Sequence, residues 1–354
     1  MNSVDLAKKL ESDIRALQTK FNSLEESTRL TSLRDSVEDT QTTIHGFAEK
    51  VKGLRARGYV FGKGFEERAS NLVKKWHGLL PNINKQIEQQ ANQLGTAITP
   101  VRSHMTQLAS LSKNQPQAQS LLNQVKPQVE ALEAQANAAR NQISGMFDSL
   151  RTEVNQFSYE IRKIDWMLSQ LSQASFPLLA TEVGVMAVKA VWAKMGEEKK
   201  GDPQGVLYLT DQRILFEQKE EVATEKVLFI TTKKEKRQKL MIDVPVTLVK
   251  SIETSKQGLL KNEDHIKIVF ESGAPMTSAH FHIWHPCEEW QGLINRAKTK
   301  DFETDRAVEI DADTMAKLKS APSQCPSCGG HIHQVILRGQ DSIKCEFCGF
   351  LIRL

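Results

Sequence analysis

The chain has 354 residues, 25% of them charged and 40% apolar, with a formal charge of +4. That length calls for two or three domains, and so mild a charge balance does not by itself indicate a nucleic-acid binder, so partners must be argued from local sequence. The opening MNSVDLAKKLESDIRALQ carries charges in every turn, so no secretory signal is expected there, and no uncharged run nears the ~20 apolar residues that cross a bilayer.

Residues 1–175 repeat apolar side chains at alternating steps of three and four, the seam of one helix packed along another. One series runs Leu30, Leu33, Val37, Thr40, Ile44, Phe47, Val51, Leu54 and stops at RGYVFGKGF, where Gly58, Gly62 and Gly64 favour a turn. A second runs Phe65, Ala69, Leu72, Trp76, Leu79, Ile83 and on through Leu94, Ile98, Val101, Met105 and Leu108; Pro81 and Pro100 should kink or divide it. The third, from Val125 through Ile143, Met146 and Leu150 to Leu171, reads as one unbroken stripe. Three helices of roughly fifty residues fit an antiparallel three-helix coiled-coil bundle, a rod on the order of 75 Å long. Such a rod serves spacing or homo-oligomerisation. Its polar face is rich in Gln, Asn and Glu, which weighs against a helix lying on a membrane.

Beyond SQASFPLL the apolar period becomes two, with strand candidates at 184–194, 205–210, 213–218, 226–232, 239–244, 248–256, 265–270 and 279–284. A helix over 286–299 should follow, since Pro286 suits a first turn, acids stand just behind it, and Trp290, Leu293, Ile294 and Ala297 share a face. Antiparallel strands closed by one helix suggest a sheet pair or barrel with the helix plugging one end. In GVLYLTDQRILFEQ, Leu207 and Leu209 alternate with Val206 and Tyr208, while Asp211 and Gln212 fit an exposed turn. This segment resembles the signature hairpin of GRAM and bacterial PH-like domains. The likeness covers about residues 180–299 and implies a PH/GRAM-like β-barrel with a C-terminal capping helix, a fold used to dock proteins or phosphoinositides.

Residues 300–321 are polar and read as a linker, with a short helix near Thr314 to Lys319. In residues 322–354, Cys325, Cys328, Cys345 and Cys348 form two C-x2-C pairs sixteen residues apart, spacing that lets two tight turns offer four thiolates to one ion. Gly329 and Gly349 follow the second cysteine of each pair and can turn backbone N–H groups toward sulfur. HIHQVILRG and SIKC read as a small hairpin between the pairs. The module resembles a zinc ribbon holding one structural zinc; a rubredoxin-like iron site would use the same sulfur set. His331 and His333 are expected as surface or strand residues. Four filled positions leave no place for a metal-bound water, so zinc hydrolysis is not expected. The reduced cysteines point to a cytoplasmic protein, at most peripheral to a membrane.

Lys233, Lys234, Lys236, Arg237 and Lys239 surround a single Glu235 in what should be a loop between strands, able to meet anionic lipid or an acidic protein. In HFHIWHPC, His280 and His282 share a strand face and could hold a metal, although with Phe281 and Ile283 turned inward they are by default solvent-facing. Cys287 lacks any visible activating base. No Walker loop, G-x-S-x-G or H-E-x-x-H occurs, so no enzyme is expected. The sequence thus reads as a multidomain α + β adaptor binding protein partners. The alternative is a nucleic-acid-binding protein that uses the ribbon and the basic segment.

Overall fold

The computed structural model describes residues 3–111, 114–227, 230–258, 260 and 262–354, the side chains of residues 3, 4 and 222–235 excepted. Two compact units divide it: Met1–Ala48 with Glu67–Ser158, and Glu49–Glu66 with Tyr159–Leu354.

Six helices make up the N-terminal region: α1 Ser3–Thr28, α2 Thr31–His45, α3 Phe47–Ala56, α4 Phe65–Ser110, α5 Gln115–Gly145 and α6 Asp148–Leu171. Within the first unit, Arg102 pairs with Glu25 at 2.6 Å and the His45 and His77 rings meet at 5.5 Å, so α4 runs antiparallel to α1 and α2. His104 contacts Gln128 at 3.0 Å and Lys75 pairs with Glu153 at 2.7 Å, so the chain reverses again into α5 and α6. Lys20 and Glu133 close the third side at 2.7 Å. The predicted seam from Leu30 to Leu54 is buried throughout, as are Trp76, Ile83, Ile98, Val129 and Phe157.

Two expectations are corrected here. Pro81 and Pro100 do not divide the helix, since both lie inside a continuous α4 of 46 residues; both are exposed, so water can hydrate the carbonyls they free while the buried face holds the helix. The third stripe is not unbroken, because the helix yields at Met146 and Phe147. Phe147 takes the core position against Trp76, with ring centroids 5.9 Å apart, and restores the seam one residue out of phase.

The second unit carries seven antiparallel strands, β1 Gly184–Trp192, β2 Gln204–Thr210, β3 Arg213–Val227, β4 Ile230–Pro245, β5 Val249–Gln257, β6 Glu263–Phe270 and β7 Ser278–Ile283. Their order is β4-β3-β2-β1-β7-β6-β5. Closure into a barrel would need β4 to pair with β5; both are terminal in the sheet among the described residues, so the expected barrel is an open sheet. Helix α7, Cys287–Lys298, buries Trp290, Ile294 and Ala297, and Gln291 donates to the Ile252 carbonyl of β5 at 2.8 Å. Eight strand candidates become seven because 213–218 and 239–244 are parts of one long β3–β4 pair, and 226–232 covers the end of β3 and the start of β4, with residues 228 and 229 outside those described.

The signature hairpin has a packing logic of its own. A Cβ on Gly205 would stand 1.9 Å from the Glu217 carbonyl oxygen, so only glycine fits where β2 meets β3. Thr210 Oγ1 accepts from the N–H groups of Gln212 (3.1 Å) and Arg213 (2.7 Å) and donates to Glu182 at 2.6 Å. The turn is not exposed as expected, since Asp211 turns inward to accept from Val183 N at 2.8 Å.

Residues 300–321 do more than connect. A 3-10 turn, Asp301–Asp305, buries Phe302 against Phe61 at 5.4 Å between centroids, and Asp305 accepts from the N–H groups of Gly62 and Lys63, both at 3.2 Å. Helix α8, Ala312–Ser320, follows, capped by Asp311 accepting from Thr314 N at 2.9 Å. Strands β8, Ser342–Lys344, and β9, Leu351–Arg353, form a separate pair.

Candidate metal centre

Each C-x2-C pair sits on a tight turn. Gly329 N donates to Cys325 O at 2.8 Å and Gly349 N to Cys345 O at 2.9 Å, and both glycines take positive φ, 72° and 76°. Cys325 N in turn donates to Gly330 O at 2.8 Å, and Cys345 N to Phe350 O at 2.9 Å, so the two turns are near copies of one another. They bring all four sulfurs within 4.8 Å of each other, with Cys325–Cys348 and Cys328–Cys345 at 3.7 Å. A tetrahedral ion with metal–sulfur bonds of about 2.3 Å requires sulfurs about 3.8 Å apart. The donor set therefore fits one thiophilic ion, and the Cys348 and Phe347 N–H groups directed at Cys345 lower its thiol pKa.

Around the sulfurs the core is small: Cys325, Cys345, Ile343 and Ile352, with Ile332 and Leu354 packed against them. The expected hairpin between HIHQVILRG and SIKC is corrected, since β8 pairs with β9. Residues 336–338 are committed elsewhere. Ala180 N donates to Ile336 O and Arg338 N to Leu178 O, both at 2.9 Å, and the Arg338 guanidinium donates to the Glu182 carbonyl. The ribbon is thereby fastened to the segment that leads into β1. His331 and His333 are exposed and stack on each other.

Large apolar side chains also reach the ribbon surface: Phe347 is 67% exposed, Leu351 59%, Phe350 46% and Val335 62%.

The basic segment is corrected from a loop to the middle of β4. Its backbone register sets Arg237 opposite Glu220, Lys236 opposite Glu221 and Lys233 opposite Glu225, so acidic positions of β3 pair in register with basic positions of β4. Lys236, Arg237 and Lys239 are exposed; the side chains of Lys233 and Lys234 lie outside those described.

His280 and His282 do share a strand face, yet neither is a simple solvent residue. His265 of β6, which the sequence did not single out, lies opposite His282 and contacts His280 at 3.2 Å. Cys287 is buried, and desolvation together with Asp264 and Glu288 raises its thiol to about 11, far from an activated nucleophile.

A cleft of about 750 Å³ opens among Asp211, Arg213, Asp243, Phe302, Glu303 and Arg306. Five of its charged groups pair with one another, Arg213 with Asp243 at 2.7 Å and Arg306 with Glu303 at 2.6 Å and with Asp211 at 3.8 Å, and Lys298 and Lys300 also line it. Among the described residues no helix is long and apolar enough to cross a membrane.

No protein-family model matches the chain, and no curated protein does. Among solved structures it is similar to the DH/PH domains of p115-RhoGEF, at 10% identity and a TM-score of 0.20, over 84% of this chain and 95% of that one. A score that low carries no structural argument.

Proposed function

We propose that the chain is a non-enzymatic adaptor of a reducing compartment, in which the helical unit is a spacer, a PH/GRAM-like sheet module is a platform, and a zinc ribbon fixed to that platform is the contact head. The observation that carries this reading is the ribbon's surface: Phe347, Phe350 and Leu351 are exposed on a module whose four sulfurs occupy one another's tetrahedron and leave no ligand position for a substrate. The seams of the helices are buried within the chain itself, which favours a spacer over a homo-oligomeric rod.

The partner of the ribbon is a protein with an apolar groove. Nucleic acid is the weaker alternative, because Arg338 is committed to Glu182 and Lys317 to Asp341, leaving Lys344 and Arg353 as dispersed cations beside Glu346. The anionic-lipid reading of residues 233–239 is weakened by the acids across the hairpin.

The test is quantitative affinity capture with the full chain and with Phe347→Ser/Phe350→Ser, beside a gel-shift titration. Loss of a shared set of captured proteins, at unchanged metal content, supports the reading. Equal capture by both chains sinks it, as does nucleic-acid binding at about 50 mM salt that weakens steeply as salt rises.

A further inference from the structure

The face of β6 and β7 that carries three histidines contains a bonding pattern with one end left open. His280 donates a ring N–H to the Gly196 carbonyl. With the one N–H of a neutral imidazole spent on that donation, its other nitrogen, Nε2, is the lone pair and accepts from His265 Nδ1–H at 3.2 Å. That fixes the tautomer of His265, whose Nε2 is then a lone pair in a side chain only 2% exposed. Among the described residues no group is hydrogen-bonded to it. Its nearest charged neighbour is the Glu263 carboxylate at 3.7 Å, too far for a hydrogen bond and in any case an acceptor facing an acceptor. A buried lone pair set toward a carboxylate is costly unless something positive lies between them.

His282 repeats the arrangement. Its Nδ1 is held by Glu198 at 2.6 Å, which leaves Nε2 as the lone pair, and its ring stacks on His265 at 4.8 Å and on Trp284 at 4.4 Å. An imidazole whose Nδ1–H is anchored by a carboxylate or another acceptor, with the second nitrogen open, is how proteins prepare histidine as a metal ligand. One nitrogen of His265, one of His282 and a Glu263 oxygen lie within 4.8 Å of each other. Ligands on one ion at about 2.1 Å lie within roughly 4 Å of one another, so a modest tilt of the stacked rings closes the set.

We propose that Glu263, His265 and His282 form a second metal site, distinct from the four cysteines, for a divalent transition ion of the zinc class. Two imidazoles and one carboxylate suit such an ion better than magnesium or calcium, which take oxygen ligands. His280 and Glu198 are positioning residues, holding the two ligand tautomers from behind.

Cobalt(II) binding by the full chain separates this site from the thiolate site, because only thiolate ligation gives intense sulfur-to-metal charge transfer. The intact protein takes two equivalents. Cys328→Ser/Cys348→Ser retains one, without that charge transfer. Glu263→Gln/His282→Gln retains one, with it, and an unchanged circular-dichroism spectrum shows that the fold is kept; Glu263→Gln alone, at a side chain 46% exposed, weakens the same equivalent. Glu198→Gln weakens the second equivalent by roughly 10–100-fold without abolishing it. A single equivalent in the intact protein overturns the proposal. So does a second equivalent that survives Glu263→Gln/His282→Gln.

Discussion

Arg213 Nη2 lies 2.6 Å from Glu182 Oε2, and that carboxylate has no exposed surface. Arg213 Nε reaches the other oxygen at 2.9 Å, making the pair bidentate. Glu182 also accepts from Leu179 N at 2.7 Å, and its own carbonyl takes the Arg338 guanidinium. One buried residue thus joins the signature hairpin, the lead-in to β1 and the ribbon. Removing Arg213 strands the buried Glu182 charge, so Arg213→Ala should cost about 3–5 kcal/mol, read from urea unfolding, whereas Glu182→Ala leaves Arg213 its Asp243 partner and should cost less. Replacement of Asp243, the more exposed partner of Arg213, should cost about 1 kcal/mol or less.

Asp211 should give stability a pH dependence of unusual sign for a carboxylate. Burial, reinforced by nearby Glu182 and Glu303, raises its pKa to about 6, while the Val183 N–H and Arg306 offset only part of this. The folded value lies above the unfolded 3.8, so the folded state binds the proton more tightly. Its contribution is full below about 4 and disappears as pH rises through about 6, by at most about 3 kcal/mol. Asp211→Asn keeps the oxygen that accepts from Val183 and should flatten this slope between about pH 4 and about pH 6.5. An unchanged slope would contradict it.

How much of this was legible beforehand depends on the range over which each partner acts. The helical seams were readable because each core residue announces itself three or four positions from the next, from Leu33 to Val37 to Thr40 to Ile44. The break at Met146 was not, since Phe147 shifts the phase by one residue and looks in sequence like an extra apolar neighbour. The four cysteines were legible by spacing alone. Residues 233–239 misled because a cation-rich run resembles a solvated loop; only the register with Glu220, Glu221 and Glu225 makes it a strand. His265 escaped notice for the same reason, as its meeting with His282 is a property of the β6–β7 register and not of local spacing.

Gly205→Ala should destabilise the sheet by about 3 kcal/mol, since the added carbon meets backbone that cannot rotate away. Gly53→Ala, where a Cβ meets nothing within 4 Å, is the control and should be neutral or slightly stabilising. Thermal unfolding of the two variants side by side reads the difference.

Charge reversal on the long hairpin tests whether its cations are spent on β3. Lys236→Glu/Arg237→Glu would set acid opposite Glu221 and Glu220. Like charges directly across a pair of strands cost about 0.2–1 kcal/mol each, so hydrogen exchange should quicken locally in β3 and β4. Flotation with vesicles containing anionic lipid should change little between the two proteins. A marked loss of vesicle binding would return the lipid reading to first place.

Chelation should unfold the ribbon and spare the sheet. The ribbon's apolar core consists of little more than Ile343 and Ile352 beside two cysteines, too little to offset the entropy of ordering the segment without the ion. The seven-stranded sheet has its own interior in Leu207, Phe216, Ile268, Phe281 and Trp290, all fully buried, and owes nothing to those sulfurs. With a strong chelator, amide exchange should rise across residues 325–354 while β1, β2 and β7 stay protected; Cys345→Ser should do the same without chelator. The anchoring bonds of Ala180 and Arg338 should exchange with the ribbon, because their acceptors and donors at 336–338 lose their fixed positions once the thiolates part. Protection that persists in 342–353 after the metal is gone would mean that β8 and β9 are held by packing, and the ribbon's dependence on its ion would have to be given up.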